Sequence, residues 1–378
     1  MSRYVIACGG TGGHLSPGIA LAEALVARGH TATLFISHKL VDTRLVEKYP
    51  HLDLARVAGA PFGARPDVLG RFLIRQGQGV LFSWRHLRRH RPDAIIGFGG
   101  FTNAGVVVAG RLLGIPVALH EANRIPGRAV RRLAGLASRL YLPPGVRLPG
   151  IRGVLVRHTG LPVRREITRL PRDAARAQLG ADPAQKLLVV LGGSQGAGVL
   201  NRWTETNLAA FARQGIQVYC ITGLGKGLAG RRELRAQNGR VVRAWFEPFS
   251  DRVGVLMSAA DLVVSRAGAG TLAELVCCET PALLIPYPHA ADNHQWANAT
   301  YFEQQGGGVV VGEPALGGLR QEVLDVIFND WLLNKFRGNL RRMAQENSIE
   351  TIVHDLENLA AGTLPAGHLP AAPAASPV

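Results

Sequence analysis

Short, wholly apolar runs alternate with longer amphipathic stretches along this chain. Val5–Ala7 predicts a strand. Leu15, Ile19, Ala22 and Leu25/Val26 then recur at helical spacing, which predicts a helix over Leu15–Ala27 with Pro17 at its start. Thr31–Ile36 reads as the next strand, Asp93–Ile96 as another after a Pro92 boundary, and Pro116–Leu119 as a further one. The pattern then restarts. Lys186–Leu191 predicts a strand, a helix begins near Gly198, and Val218–Thr222, Leu262–Val264 and Ala282–Ile285 read as later strands. Apolar strands separated by helices predict parallel sheets covered on both faces.

Two glycine loops punctuate this pattern at matching places. Gly9-Gly10-Thr11-Gly12-Gly13-His14 follows the first strand of one half, and Gly192-Gly193-Ser194-Gln195-Gly196 follows the first strand of the other. The loops begin 183 residues apart, about one domain. Glycines leave backbone N–H groups uncovered, and a helix N-terminus behind them completes an anion site. A tight turn is the plain alternative for either loop, and recurrence of the device in both halves weighs against it. The first loop is not a dinucleotide fingerprint, because counting from Gly10 the last glycine position is Leu15. The expected architecture is α/β, with two Rossmann-like, doubly wound parallel-sheet domains facing a central cleft. Ligands of such sheets bind at the carboxyl ends of the strands, so both loops should line the cleft. The hinge is expected near Gly160-Leu161-Pro162.

Other strand ends carry candidate chemistry. Arg266–Glu274 forms a third strand–glycine–helix junction, and a Glu274 carboxylate one turn into the helix suits the two hydroxyls of a ribose. Gly97-Phe98-Gly99-Gly100-Phe101 and His120-Glu121-Ala122-Asn123 close two strands of the first half, and His120 and Glu121 also suit a loop-holding role. His289 and His294 sit five apart near Asp292 and Gln295, without the spacing of a metal site.

Composition narrows the partners. The chain has 378 residues, 47% hydrophobic, with net charge +16, which points to an anionic partner: nucleic acid, a membrane surface or a phosphorylated substrate. Aromatics are only 6% and no nucleic-acid motif is present, so nucleic acid is not expected. No run of 18 uncharged apolar residues appears, and Cys8, Cys220, Cys277 and Cys278 lack Cys-x-x-Cys spacing, so a reducing compartment is expected, with Cys8 and Cys220 as buried free thiols in their apolar runs. Residues 65–91 interleave Leu69, Phe72, Leu73, Leu81, Phe82 and Trp84 with seven arginines. That pattern fits either a core helix with a solvated face or a surface docking on anionic lipid.

Taken together, Gly9–His14, Gly97–Phe101, His120–Asn123, Gly160–Arg164, Gly192–Gly196 with Asn201, Arg266–Glu274 and Asp292–Asn298 resemble, in order, the MurG family of bacterial N-acetylglucosaminyltransferases. The resemblance implies a GT-B glycosyltransferase fold and metal-independent, inverting transfer of GlcNAc from UDP-GlcNAc to the C4 hydroxyl of undecaprenyl-pyrophosphoryl-MurNAc-pentapeptide (lipid I). No cofactor is implied. It places donor contacts on Thr11, Gly12, Gly13, Asn123, Arg164, Ser194, Ser250, Ala269, Gly270, Thr271, Leu272, Ala273, Glu274 and Gln295. The acceptor side falls on Gly99, Gly100 and Glu121, and His14 becomes the candidate catalytic base, kept neutral by the helix N-terminus. The protein is expected on the cytoplasmic face of the inner membrane, peripherally bound through residues 65–91. Expected divisions are an acceptor domain over 1–162, a donor domain over 163–340, a helix over 341–363 packing back on the first domain, and a disordered Pro/Ala-rich tail over 364–378. The chain departs from the family pattern at Ala122, Val130 and Leu161.

Overall fold

The computed structural model describes residues 1–10, 12–60, 65–193, 196–344 and 348–362. Thr11, Ser194, Gln195 and the tail lie outside the described residues.

Two sheets of seven strands form the frame. The first contains β1 (Arg3–Ala7), β2 (Thr31–Ile36), β3 (Asp53–Arg56), β4 (Ala94–Gly97), β5 (Val117–His120), β6 (Arg139–Leu142) and β7 (Leu155–His158). Their order is β3-β2-β1-β4-β5-β6-β7, all parallel. The second contains β8 (Lys186–Leu191), β9 (Ile216–Ile221), β10 (Gly230–Arg235), β11 (Val241–Glu247), β12 (Leu262–Ser265), β13 (Ala282–Leu284) and β14 (Gly308–Val310). It runs β10-β11-β9-β8-β12-β13-β14, parallel except for β10, which pairs antiparallel with β11 at the edge. Apart from the edge strands β7 and β10, the halves share one winding. In each, the strand order reverses beside the first strand, at β1 and at β8, and that is where doubly wound sheets open a binding crevice.

Burial explains why the central strands form. Ile6, Ala7, Leu34, Ile95, Ala118 and Leu119 are all fully buried, as are Leu187, Leu188, Val189 and Val263, so each strand packs helices on both faces. The unanticipated strands, β3, β6, β7, β10, β11 and β14, lie at or next to the edges, and three of them are mixed in sequence: Asp53–Arg56, Leu155–His158 and the Gly-Arg-Arg-Glu-Leu-Arg of β10. Charge on an edge strand deters edge-to-edge pairing and also hides the strand from an apolar-run search.

One expected boundary shifts. The first helix spans Gly12–Ala27, so Pro17 stands inside it and does not start it. Without an N–H, Pro17 leaves the Gly13 carbonyl unmatched, beside an exposed Gly13 at the mouth of the cleft.

The chain crosses between halves twice, and the crossings lie together: a Cβ on Gly160 would stand 3.6 Å from Ser348 Cβ. Helix Asp330–Met343 straddles the expected division at residue 340, with Leu340 buried in the second-half core. Helix Ser348–Ala360 then returns to the first half, where Ile352, Val353, Leu356 and Leu359 join the core of Ile6, Leu21 and Leu34. Each buried aliphatic side chain contributes about 1.5–3 kcal/mol. A buried Asp355 locks the helix down by accepting from Tyr141 at 2.9 Å and pairing with Arg139 at 3.3 Å and Arg157 at 3.1 Å.

Candidate active site

A cavity of about 1190 Å³ separates the halves at the carboxyl ends of both sheets. That exceeds the usual span of a single small-ligand pocket, about 300–1,000 Å³, and leaves room for two substrates. Two helix N-termini converge on it. Gly270, second in helix Ala269–Cys277, approaches Gly13, second in helix Gly12–Ala27, so closely that a Cβ on Gly270 would stand 4.0 Å from Gly13 Cα. Both ends direct unpaired N–H groups and positive dipole ends into one space, suited to phosphate oxygens.

On the first-half side the glycine loop is less bare than its sequence suggests. Asp42, fully buried, accepts from Gly10 N at 2.8 Å, Ser37 N at 3.1 Å and Ser37 Oγ at 2.5 Å. Lys39 donates to the Gly10 carbonyl at 2.8 Å and Thr102 Oγ1 to the Gly9 carbonyl at 2.9 Å. The loop's own polar groups therefore serve to brace it, and the N–H groups available to an anion belong to the start of the following helix. Ser37, Lys39, Asp42 and Thr102 were not singled out in the sequence. They lie in separate segments that meet only when β1, β2 and the neighbouring helices assemble.

His14 rests on Gly99 and Gly100. A Cβ on Gly99 would stand 3.3 Å from His14 Nε2, and one on Gly100 would stand 3.2 Å from Nδ1 and 2.8 Å from the Gly9 carbonyl oxygen. Both glycines also have positive φ, at 94° and 79°, so any side chain there is strained and displaces the imidazole. The His14 pKa is pushed down to about 4, first by burial, then by His294 and Lys39, with Asp42 pulling against them. The ring is neutral at pH 7, as expected, but burial is the main cause.

On the second-half side, Glu274 is bound up with Arg164. The Arg164 Nη2–Glu274 Oε1 distance is 3.5 Å, and Nη1 lies 3.1 Å from Glu166 and 3.4 Å from the Tyr49 hydroxyl. Tyr49 also donates to Glu166, which joins a first-half residue to the network. Burial raises the Glu274 carboxyl above its ordinary value, and Arg164 draws it back. Arg266 also lines the cavity and is already engaged there: it donates to the Ile285 carbonyl at 3.1 Å and pairs with Glu313 at 2.6 Å.

The remaining candidates divide. Gly12, Gly13, Gly99, Gly100, Glu121, Asn123, Arg164, Ser250, Ala269, Gly270, Thr271, Glu274 and Gln295 all line the cavity. Leu272 and Ala273 are not on its wall, and Leu272 is buried in the second-half core. Glu121 has taken the loop-holding role, accepting from Asn123 N at 2.8 Å, Asn123 Nδ2 at 3.0 Å and Gly127 N at 2.6 Å. His120 is likewise structural, with Nε2 3.1 Å from the Gly160 carbonyl at the crossing. Gln295 accepts from Tyr287 N at 3.0 Å.

Polar contacts span the cleft beside the site. Asn298 donates to Asn123 at 3.0 Å and to the Ala267 carbonyl at 3.2 Å, Lys48 pairs with Asp251 at 2.8 Å, and Asp292 pairs with Arg128 and Arg131. Among the described residues, no cluster of three or more metal-ligating side chains occurs, and no helix is long and apolar enough to cross a membrane.

Comparison with known proteins places these features. Residues 4–142 match the glycosyltransferase family 28 N-terminal domain and residues 187–351 the glycosyltransferase family 28 C-terminal domain. The chain is 58% identical over 359 residues to the UDP-N-acetylglucosamine–N-acetylmuramyl-(pentapeptide) pyrophosphoryl-undecaprenol N-acetylglucosamine transferase of Opitutus terrae, covering 95% of each chain. The protein of the same name from Parasynechococcus marenigrum is 37% identical over 95% of this chain and 99% of that one. Among solved structures, MurG of Acinetobacter baumannii superposes with TM-score 0.69 at 22% identity, over 94% of this chain and 99% of that one. A putative UDP-N-acetylglucosamine 2-epimerase from Listeria monocytogenes gives TM-score 0.70 at 14% identity, over 98% and 100%. At those identities the two structures speak to the fold.

Proposed function

The chain belongs to the MurG family of N-acetylglucosaminyltransferases, within glycosyltransferase family 28, and from that premise we propose how each wall of the cleft serves the reaction. The protein is a GT-B enzyme of peptidoglycan synthesis that transfers GlcNAc from UDP-GlcNAc to lipid I, giving lipid II. The observation that carries the assignment of roles is the meeting of two helix N-termini, at Gly13 and Gly270, across one cavity with His14 between them.

In this reading residues 1–162 form the acceptor domain, 163–340 the donor domain, and the helix after residue 343 returns to the first. UDP lies against the second half. Glu274 accepts the ribose hydroxyls, Ser250 holds the uracil through its backbone, and the start of helix Ala269–Cys277 faces the diphosphate. Asn123, Arg164 and Gln295 close the donor pocket, with Gly12 and Gly13 completing it from the opposite wall. Thr11, Ser194, Leu272 and Ala273 belong to the same proposed donor set, the first two outside the described residues. The lipid I diphosphate and muramyl sugar lie against Gly99, Gly100 and the first helix.

Transfer is one inverting displacement. The C4 hydroxyl oxygen of the muramyl sugar attacks the anomeric carbon, and the bond from that carbon to the β-phosphate oxygen breaks. The hydroxyl proton passes to His14, and UDP departs carrying the electron pair. A neutral imidazole at pH 7 is competent to take that proton. The helix N-terminus meets charge as it develops on the leaving diphosphate.

Helix Pro66–His90 joins this site to a membrane surface. Its Phe72 and Gln76 face the cavity, while Leu73 and Ile74 are 61% and 64% exposed among Arg71 and Arg75. A peripheral enzyme bound to the cytoplasmic leaflet through this helix receives a lipid-linked acceptor beside Gly99 and Gly100. Purified protein with labelled UDP-GlcNAc and lipid I tests the whole reading. Label is expected in lipid II. Conversion of the donor to UDP-ManNAc, or donor binding without turnover, overturns it.

A further inference from the structure

A turn of the first half reaches the second half at two adjacent residues. Helix Leu40–Val46 ends there, and Tyr49 N–H returns to the Val46 carbonyl at 2.9 Å. Lys48 pairs with Asp251 at 2.8 Å, next to Ser250. The Tyr49 ring is buried in the first-half core, while its hydroxyl meets Glu166 and Arg164. Arg164 lines the cavity, but neither Tyr49 nor Glu166 is on its wall, so the hydroxyl stands behind the donor side.

The Arg164 guanidinium is shared between two carboxylates. Nη1 lies 3.1 Å from Glu166, and Nη2 lies 3.5 Å from Glu274. Nε is buried with no hydrogen-bond partner among the described residues, so the two Nη groups set how the planar fork points. Glu166 is the nearer carboxylate and also the more exposed, at 36% against 15% for the Glu274 side chain. Glu274 depends more on the pairing, because a carboxylate withdrawn from water keeps its charge only with a partner beside it. A fork drawn toward Glu166 therefore deprives Glu274.

The Tyr49 hydroxyl opposes that pull in two ways. It donates to Glu166, satisfying charge that would otherwise draw on Arg164, and its oxygen accepts from Arg164 Nη1 at 3.4 Å. We propose that the Tyr49 hydroxyl is a positioning group for the donor site: it holds Glu166 off Arg164 and so leaves the guanidinium to Glu274. The inference rests on the reading that Glu274 accepts the ribose hydroxyls. It makes the first half a determinant of donor affinity through a side chain that does not contact the donor.

Tyr49→Phe removes the hydroxyl and keeps the buried ring. UDP is titrated calorimetrically into full-length wild type, Tyr49→Phe, Glu166→Gln and the double variant, and initial rates with UDP-GlcNAc are measured at saturating lipid I. Tyr49→Phe is expected to weaken UDP binding roughly threefold to tenfold, the range for one hydrogen bond. The KM for UDP-GlcNAc should rise in step, with kcat nearly unchanged. Glu166→Gln removes the competing charge, so it should bind UDP at least as tightly as the wild type, and adding Tyr49→Phe to it should change nothing. UDP affinity untouched by Tyr49→Phe, weakened by Glu166→Gln, or lowered equally by Tyr49→Phe in both backgrounds overturns the proposal. Glu274→Gln separates the two possible failures. If it leaves UDP affinity unchanged, the donor reading falls and takes this inference with it. If it weakens UDP while Tyr49→Phe does not, only the role of Tyr49 falls.

Discussion

The two walls of the cleft each present a strand–glycine–helix junction, after β1 in the first half and after β12 in the second, and use it differently. In the first half the loop is braced from inside the protein. Asp42 holds Gly10 N–H, Lys39 and Thr102 hold the carbonyls of Gly10 and Gly9, and a half-buried His14, its pKa pushed down to about 4, stands over Gly99 and Gly100. In the second half the helix at Ala269 follows a Gly268 that makes no side-chain cap and stands in open space. Its titratable group, Glu274, is poised by Arg164. The same winding thus supports one wall braced from within, on which the proposed mechanism places its proton acceptor, and one open wall, on which it places the nucleotide. What separates them is which side chains the neighbouring segments bring to each loop.

That contrast predicts different failures on the two sides. The largest is expected at His14. His14→Ala should lower turnover by roughly 100-fold or more, the range for a general base, with the KM for UDP-GlcNAc nearly unchanged. A variant turning over at the wild-type rate with saturating acceptor removes the base from the first wall.

Glu274→Gln should act on the other parameter. Loss of a charged acceptor for the ribose hydroxyls costs about 1.5–3 kcal/mol, so UDP affinity should fall by about tenfold or more. The wild-type carboxyl is raised by burial, so acidification protonates it and weakens UDP binding. The Gln variant should lack this pH dependence. Calorimetric titration of UDP between pH 5 and 8 compares the two.

Asp42→Asn probes the bracing. It leaves buried donors at Gly10 and Ser37 poorly matched, at about 1–3 kcal/mol, and should lower the midpoint of thermal unfolding.

The smallest effect is a slope. His14 and His120 both have pKa values lowered from 6.5 to about 4 in the folded protein. The unfolded chain therefore binds more protons between those values, and stability falls as pH drops from about 6.5 toward 4. Replacing His120 by Gln should flatten part of that slope in chemical-denaturation midpoints. An unchanged slope denies His120 its buried, neutral state.

The sequence by itself determined the frame of this protein. Thr31–Ile36 and Lys186–Leu191 were legible to the residue, because a parallel strand covered by helices on both faces is apolar at most of its positions. The glycine loops and Glu274 were legible because backbone approach and helix-end charge demand those residue types in local order. The partly exposed edge strands were not, since neither an apolar run nor a strict alternation marks Leu155–His158 or β10. Only the tertiary structure decided which groups answer which. It brought Asp42 to Gly10, Tyr49 to Arg164 and Gly13 to Gly270, left Leu272 in the core, and turned Glu121 to its own loop. Those pairings join residues that lie two to more than 250 positions apart along the chain. Local patterning acts over one or two turns of backbone, whereas partnership at a site is settled by the packing of whole sheets and by the need of each buried polar group for a match.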